Sequence, residues 1–240
     1  MKISVIVPFF NEEGSIDFVL NEVCQVLLQR QEEFEIIAID DGSRDATPSL
    51  LQAASQEIKE LRVRTHPRNY GQAASFLTGF QIASGDVIVI MDGDGQNDFH
   101  DVPYMLSLLS PYEAVFGQRA KRQDPIQKLI GTRIGFFFRR LVLNDDIRDT
   151  ACSLKVMKKE TLQYLIPIRG FHRFIPFLFK EAGISSIAVD VNHRPRTSGK
   201  TKYCLTKFYF LPAFIDLLFM WWYKKRNVLK VILSDKERMK

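Results

Sequence analysis

Asp92-Gly93-Asp94-Gly95-Gln96 is the sharpest chemical signal in the chain. Two carboxylates one small residue apart can both reach a hard divalent cation, which also takes oxygens from a diphosphate. The glycines let the backbone come close to that diphosphate. The same residues suit a plain turn, because Asp-Gly is common turn chemistry. The run before them favours the metal reading: Val87-Ile88-Val89-Ile90-Met91 is apolar, so Asp92 begins where a buried strand ends. A second group, Asp40-Asp41-Gly42-Ser43-Arg44-Asp45-Ala46-Thr47, also follows a strand-like run. A carboxylate there can accept hydrogen bonds from a base N–H or a ribose hydroxyl. Asp45 or Thr47 can also cap the next helix, and the roles are compatible, with Asp41 for a ligand and Thr47 for the cap.

These groups need a scaffold, and the first part of the chain alternates between two patterns. Ile3–Val7, closed by Pro8, reads as a buried strand, and Phe34–Ile39, Leu61–Thr65 and Val87–Met91 read likewise. Between them, Ser15–Leu28 carries Ile16, Val19, Leu20, Val23 and Leu27 at the spacing of one helix face. Pro48 suits the start of a second helix, and Gly71–Ala83 reads as a third. Such alternation implies an α/β fold with a mostly parallel sheet flanked by helices, and ligands bind at the carboxyl ends of its strands. Both acidic groups sit at such ends and should converge on one crevice. The second half is less regular. It suggests strands at Glu113–Gln118, Ser153–Met157 and Ile184–Val191, with helices at Pro125–Leu143 and Phe174–Lys180. Phe136, Phe137 and Phe138 read as core.

The 240 residues are 46% hydrophobic and 25% charged, ordinary globular usage for one domain with an appendage. The net charge of +5 is concentrated in 119–140 and 194–226, which suggests anionic partners for the second half. Nucleic acid is not expected among them. Cys24, Cys152 and Cys204 are odd in number and widely spaced, so a reducing cytosolic setting is expected, and no zinc spacing is present. Met1-Lys2 runs straight into a strand-like segment, so no secretory signal is expected.

Val5-Ile6-Val7-Pro8-Phe9-Phe10-Asn11-Glu12-Glu13, then the Asp40–Thr47 run, then Asp92–Gln96 resemble the successive nucleotide-binding segments of family 2 glycosyltransferases of the GT-A (Rossmann-like) fold. Asn69-Tyr70-Gly71-Gln72, Gly85-Asp86 and Gly117-Gln118-Arg119 keep the same order. Gly170-Phe171-His172-Arg173-Phe174-Ile175-Pro176 and Val191 to Tyr203 are similar to the dolichyl- or polyprenyl-phosphate mannose synthase-like group. The resemblance covers nearly all of 3–226. It implies that Pro8, Asn11, Glu12, Asp41 and Asp92 line the nucleotide pocket, and that Asp92, Asp94 and Gln96 hold Mg2+ or Mn2+. It also implies that Arg119, Arg133, Arg196 and Lys202 receive the acceptor phosphate, with Asp94 and the arginines carrying catalysis. A phosphate acceptor is already ionised at neutral pH, so no strong base is required, and guanidinium forks suit it. The expected reaction is inverting transfer of a hexose, mannose from GDP-mannose by the resemblance, to a polyprenyl or dolichyl phosphate.

Two features depart from the group. Ser153-Leu154-Lys155 stands where a Gly, an aromatic and an Arg are usual, so Lys155 is not assigned to the site. The Gln-x-x-Arg-Trp of processive synthases is absent, which disfavours chain synthesis. His172, between aromatics, reads as structural. Alternatives are a UDP-sugar donor, a saccharide acceptor with Asp149 as its only candidate base, and a non-catalytic nucleotide-sugar-binding subunit of a membrane complex. A nucleotidyltransferase would need a Gly-rich basic loop where Pro8–Glu13 is acidic.

Phe208–Tyr223 is almost wholly apolar, interrupted by Pro212 and Asp216. As a helix it would span about 24 Å, short of the roughly 30 Å hydrocarbon core. Lysines precede it, and Lys224, Lys225 and Arg226 follow Trp221, Trp222 and Tyr223, which suits a helix lying in a membrane interface. A buried packing helix or a dimer contact is the other reading. The expected division is a catalytic domain over 1–205, an interfacial helix over 206–226 and a charged tail over 227–240, at the cytoplasmic membrane face or in the cytoplasm. A membrane-protein partner or a homo-oligomer stays open.

Overall fold

The computed structural model describes residues 1–120, 135–136, 138–145, 147–195 and 210–227. It forms β1 (Lys2–Phe9), α1 (Ile16–Gln29), β2 (Glu33–Asp40), α2 (Thr47–Glu57), β3 (Leu61–Thr65), α3 (Gln72–Ile82) and β4 (Val87–Ile90). These are followed by α4 (Val102–Ser107), β5 (Ala114–Arg119), β6 (Lys155–Lys158), α5 (Ile175–Glu181), β7 (Ser186–Val191) and α6 (Phe210–Arg226). The seven strands make one sheet in the order β3-β2-β1-β4-β6-β5-β7. Every pairing is parallel except those of β6, which runs antiparallel between β4 and β5.

Side chains alternate across each strand, so the sheet has two apolar faces. Ile3, Val5, Val7 and Phe9 of β1 pack with α1, Leu51 of α2 and Met105 of α4. On the other face Ile6, Ile37, Ile39, Ile88 and Ile90 pack with Phe76 of α3 and with Ile175 and Phe179 of α5. β2 and β4 feed both faces, which is why their sequences are continuous apolar runs.

Elements appear where the periodicity predicts them, with shifted ends. β6 begins at Lys155 rather than Ser153, and β7 at Ser186 rather than Ile184. Residues 135–136 and 138–143 are helical, and the rest of the predicted Pro125–Leu143 helix lies outside the described residues. Phe138 is half exposed rather than in the core. Thr47 does not cap α2. The helix starts on it, and its hydroxyl accepts the Glu12 N–H at 2.9 Å, while Asp45 accepts the Thr47 N–H at 3.0 Å.

α6 is amphipathic in space. Leu217 and Met220 pack on Leu143, Phe174, Phe177 and Leu178. Phe214, Ile215, Leu218, Trp221 and Trp222 stay exposed, the last at 51%. Among the described residues no helix is long and apolar enough to cross a membrane.

Candidate active site

The carboxyl ends of β1 and β2 finish level, because Phe9 pairs with Asp40; β4 stops opposite Ile6, so the loop that follows it passes beside Pro8 and Phe9 at Gly93. The loops leaving the three strands are tied together at this edge. Asn11 N–H donates to Ser43 Oγ at 2.9 Å, Arg44 N–H to Asn11 Oδ1 at 2.8 Å, and Ser15 Oγ–H to the Gly93 carbonyl at 2.6 Å. Asn11 adopts φ of +50°, a conformation asparagine tolerates, which lets its side chain receive Arg44.

A cleft of about 530 Å³ opens between the first two loops and the segment after β3. Phe10, Asn11, Ser43, Arg44, His66 and Arg68 contribute to its walls. An aromatic face, two guanidinium groups and amide and hydroxyl partners suit a flat base with a ribose. Gly42 is required here: its φ is +72°, and a Cβ would lie 2.5 Å from the Arg68 backbone.

Of the residues predicted to line this pocket, Asn11 does so directly. Pro8 supplies a carbonyl behind Gly93, and Glu12 is buried next to α2. Asp41 is buried beneath the cleft. Its carboxylate accepts from His66 Nδ1 at 2.8 Å, Tyr70 N–H at 2.9 Å and Gly71 N–H at 2.8 Å. It therefore shapes the turn that walls the cleft.

Asp92 and Asp94 follow β4, and Asp94 is 7% exposed. Gly93 between them lies against β1, where a Cβ would come within 2.6 Å of the Phe9 ring and 2.7 Å of the Pro8 carbonyl. Burial, and then the neighbouring Asp94, push the Asp92 carboxyl up to about 6, while Lys155 and Arg119 pull it down. Two carboxylates that resist sharing negative charge form a donor pair that a bound cation would relieve. The pair and the nearby Gln96 amide offer the hard oxygens that Mg2+ and Mn2+ prefer, so the residues fit such an ion. Gln72 Nε2 also hydrogen-bonds Asp92 Oδ1. Asp94 Oδ1 accepts the Gln96 N–H at 3.1 Å, and Gln96 Nε2 donates to the Arg194 carbonyl at 3.3 Å.

Lys155 is the residue the sequence reading passed over. As the first residue of β6 it pairs with both Ile90 and Phe116, directly below Asp92. It is fully buried, its ammonium donates to the Cys152 carbonyl, and burial lowers its pKa despite the pull of nearby Asp92 and Asp149. Its signal was a lysine in the middle of the strand predicted over Ser153–Met157, flanked by Leu154, Val156 and Met157.

Arg119 closes β5, where Asp149 holds it by Nε at 2.5 Å and Nη2 at 2.8 Å. A carboxylate clasped in this way makes a poor general base, against the saccharide-acceptor reading. Arg133, Arg196 and Lys202 lie outside the described residues. His172 is wedged edge-on between Phe76 and Phe171, and burial pushes its pKa down to about 3, so the ring is neutral. That environment matches its structural reading.

Among the described residues Glu22, Asp98 and His100 also cluster as metal ligands would. A cation is already there: Arg194 reaches Glu22 at 2.7 Å and Asp98 at 2.6 Å.

The sequence model of glycosyl transferase family 2 matches residues 4–165. Undecaprenyl-phosphate 4-deoxy-4-formamido-L-arabinose transferases from Pectobacterium carotovorum and Photorhabdus laumondii are 32% and 30% identical over 209 and 208 residues. Each alignment covers 86% of this chain and 64% of the relative, so the chain spans less than two thirds of the length of these curated relatives. Among solved structures, glucosyl-3-phosphoglycerate synthase from Mycobacterium tuberculosis superposes with a TM-score of 0.65 at 20% identity, covering 83% of this chain and 73% of that one. That structure is a complex with Mn2+, uridine diphosphate and glucosyl-3-phosphoglycerate. A mannosyltransferase from Pyrobaculum calidifontis, in complex with GDP-mannose and Mn2+, gives a TM-score of 0.58 at 19% identity, covering 82% and 57%. At these identities the likeness shows the shared fold. The matched segment contains the cleft, both acidic groups and Lys155, and over it the chain belongs to glycosyl transferase family 2.

Proposed function

We propose that this chain transfers a sugar, with inversion, from a nucleoside diphosphate to a polyprenyl phosphate at the cytoplasmic face of a membrane. The observation that carries the reading is the pair Asp92 and Asp94 at the end of β4, beside a cleft suited to a nucleoside. The relatives' names supply the lipid-phosphate acceptor. The exposed aromatic face of α6, ending in Lys224, Lys225 and Arg226, supports a membrane surface as partner. On this reading residues 1–205 are the catalytic domain, 206–226 the interfacial helix and 227–240 a charged tail.

Asp92, Asp94 and Gln96 would hold Mg2+ or Mn2+. When bound, the ion neutralises charge on the leaving diphosphate. The cleft around Asn11 orients the nucleoside, and Asp41 keeps its wall in place. Arg119, held by Asp149 at the end of β5, would form the acceptor-phosphate site together with Arg133, Arg196 and Lys202. No side chain needs to remove a proton, because the acceptor oxygen is already ionised. What the residues contribute is alignment of two anions that would otherwise repel.

The donor sugar is the finer part of the proposal. Mannose from GDP-mannose follows from the resemblance, whereas the relatives are named for 4-deoxy-4-formamido-L-arabinose. The test offers the full chain a radiolabelled donor panel: GDP-mannose, UDP-glucose and nucleoside-diphosphate-linked 4-deoxy-4-formamido-L-arabinose. Polyprenyl phosphate in detergent and Mn2+ complete the mixture. A labelled organic-phase lipid is expected, lost with chelator and with Asp94→Ala. Turnover indifferent to chelator would sink the metal assignment. Nucleotide binding with no product from any donor would favour the non-catalytic subunit.

A further inference from the structure

The residues that follow β7 are stitched to the loop that carries the carboxylates. Asn192 donates to Asp101 through its backbone N–H at 2.7 Å and its side chain at 3.1 Å. His193 forms an antiparallel bridge with Asn97. Arg194 N–H donates to the Gln96 carbonyl at 2.9 Å, and the Gln96 side chain returns to the Arg194 carbonyl at 3.3 Å. The seam thus holds Gln96 by its main chain and its amide, with Nε2 engaged and Oε1, the atom able to ligate a metal, on the other branch.

Arg194 is itself fixed from the opposite side. Its guanidinium bridges Glu22 of α1 at 2.7 Å and Asp98 at 2.6 Å, and lies 5.3 Å over the Phe18 ring. Glu22 also accepts the Phe99 N–H at 3.2 Å, and Asp98 the His100 N–H at 3.1 Å. One planar fork therefore joins α1, the loop after Gln96 and the exit of β7. A lysine, a point charge, could not span both carboxylates in this way.

We propose that Arg194 is a positioning residue for the metal site: anchored by Glu22 and Asp98, it holds Gln96 ready to ligate the cation beside Asp92 and Asp94. The inference rests on the reading of Asp92, Asp94 and Gln96 as metal ligands. A ligand amide fixed in advance loses less rotamer freedom when the ion arrives.

The test is calorimetry of UDP and GDP binding to the full chain, with Mn2+ and with chelator, reading the gain in affinity that Mn2+ confers. Arg194→Met is expected to cut that gain about tenfold, the usual scale for removing a group that orients a metal ligand. Arg194→Lys, which keeps one ion pair, restores part of it. In a Gln96→Ala background Arg194→Met changes the gain by less than about twofold, because the route through Gln96 is gone. An unchanged gain in Arg194→Met, or losses that multiply in the double variant, overturns the proposal. A wild-type chain with no Mn2+-dependent gain for either nucleotide overturns the metal reading and the proposal together. Should Arg194→Met fail to fold, Asp98→Asn weakens the same clamp and carries the same cycle.

Discussion

Asp41→Asn separates a carboxylate that shapes the cleft from one that binds the nucleotide. In the structure three donors converge on Asp41: His66 Nδ1 at 2.8 Å, Tyr70 N–H at 2.9 Å and Gly71 N–H at 2.8 Å. Asparagine keeps one oxygen and turns the other into a donor. Whichever way the amide rotates, at least one of those groups meets another donor. A hydrogen bond to a charged acceptor contributes about 1.5–3 kcal/mol, and a stranded buried donor costs about 1–3 kcal/mol. These overlap, so about 3 kcal/mol is the expected loss. For a chain of this size that lowers Tm by about 6–12 °C. The 66–71 turn walls the cleft, so affinity for UDP or GDP should fall about tenfold together with Tm, as preorganisation is lost. Thermal melts and calorimetry on one preparation check both. A variant that melts within about 2 °C of wild type yet loses nucleotide binding would refute the reasoning. It would mean that the Asp41 oxygens contact the nucleotide.

Glu35 offers a stability test. Burial alone would raise its carboxyl, but hydrogen bonds from Ser4, Ser84 and Arg62 outweigh it and hold the group at about 2 against an ordinary 4.5. Its stabilisation is therefore complete above about pH 4.5 and fades as pH falls toward 2. The shift corresponds to about 3 kcal/mol unscreened; with Arg62 43% exposed, about 1–2 kcal/mol is expected. Glu35→Gln should lower the urea midpoint accordingly at pH 7, and the deficit should shrink by pH 3. At the metal site, a proton competes with the cation for Asp92, whose carboxyl lies at about 6. The Mn2+-dependent gain in nucleotide affinity should fall as pH drops through that value, and a flat profile from pH 5 to 8 would count against Asp92 as a ligand. On α6, Met220→Ala removes a fully buried side chain and should cost about 2–5 kcal/mol in a chemical melt. Trp222→Ser, at an exposed position, should leave stability within about 0.5 kcal/mol while weakening sedimentation with anionic vesicles several-fold.

The alternation of strands and helices, and the landing of Asp41 and Asp92 at carboxyl ends of strands in one sheet, could be read from the sequence. Hydrophobic periodicity is local, and parallel βα units have few ways to assemble. The apolar face of Phe208–Tyr223 was legible for the same reason, although a one-dimensional pattern could not say that Leu217 and Met220 pack inward while Trp221 and Trp222 stay exposed. Where carboxylates and cations meet was not legible. Asp41 is committed to donors from residues 66–71, Arg119 to Asp149, and Arg194 to Glu22 and Asp98 across the sheet edge. Such pairings join residues 25 to 172 positions apart, and side-chain type carries no address for its partner. Lys155 shows this most clearly. Only the antiparallel insertion of β6 between β4 and β5 brings that lysine beneath Asp92. The sequence by itself determined the fold class and the metal-suited acidic loop, because both follow from local spacing. The tertiary structure alone decided which charges neutralise one another and which are left facing the cleft, because that depends on strand order and register.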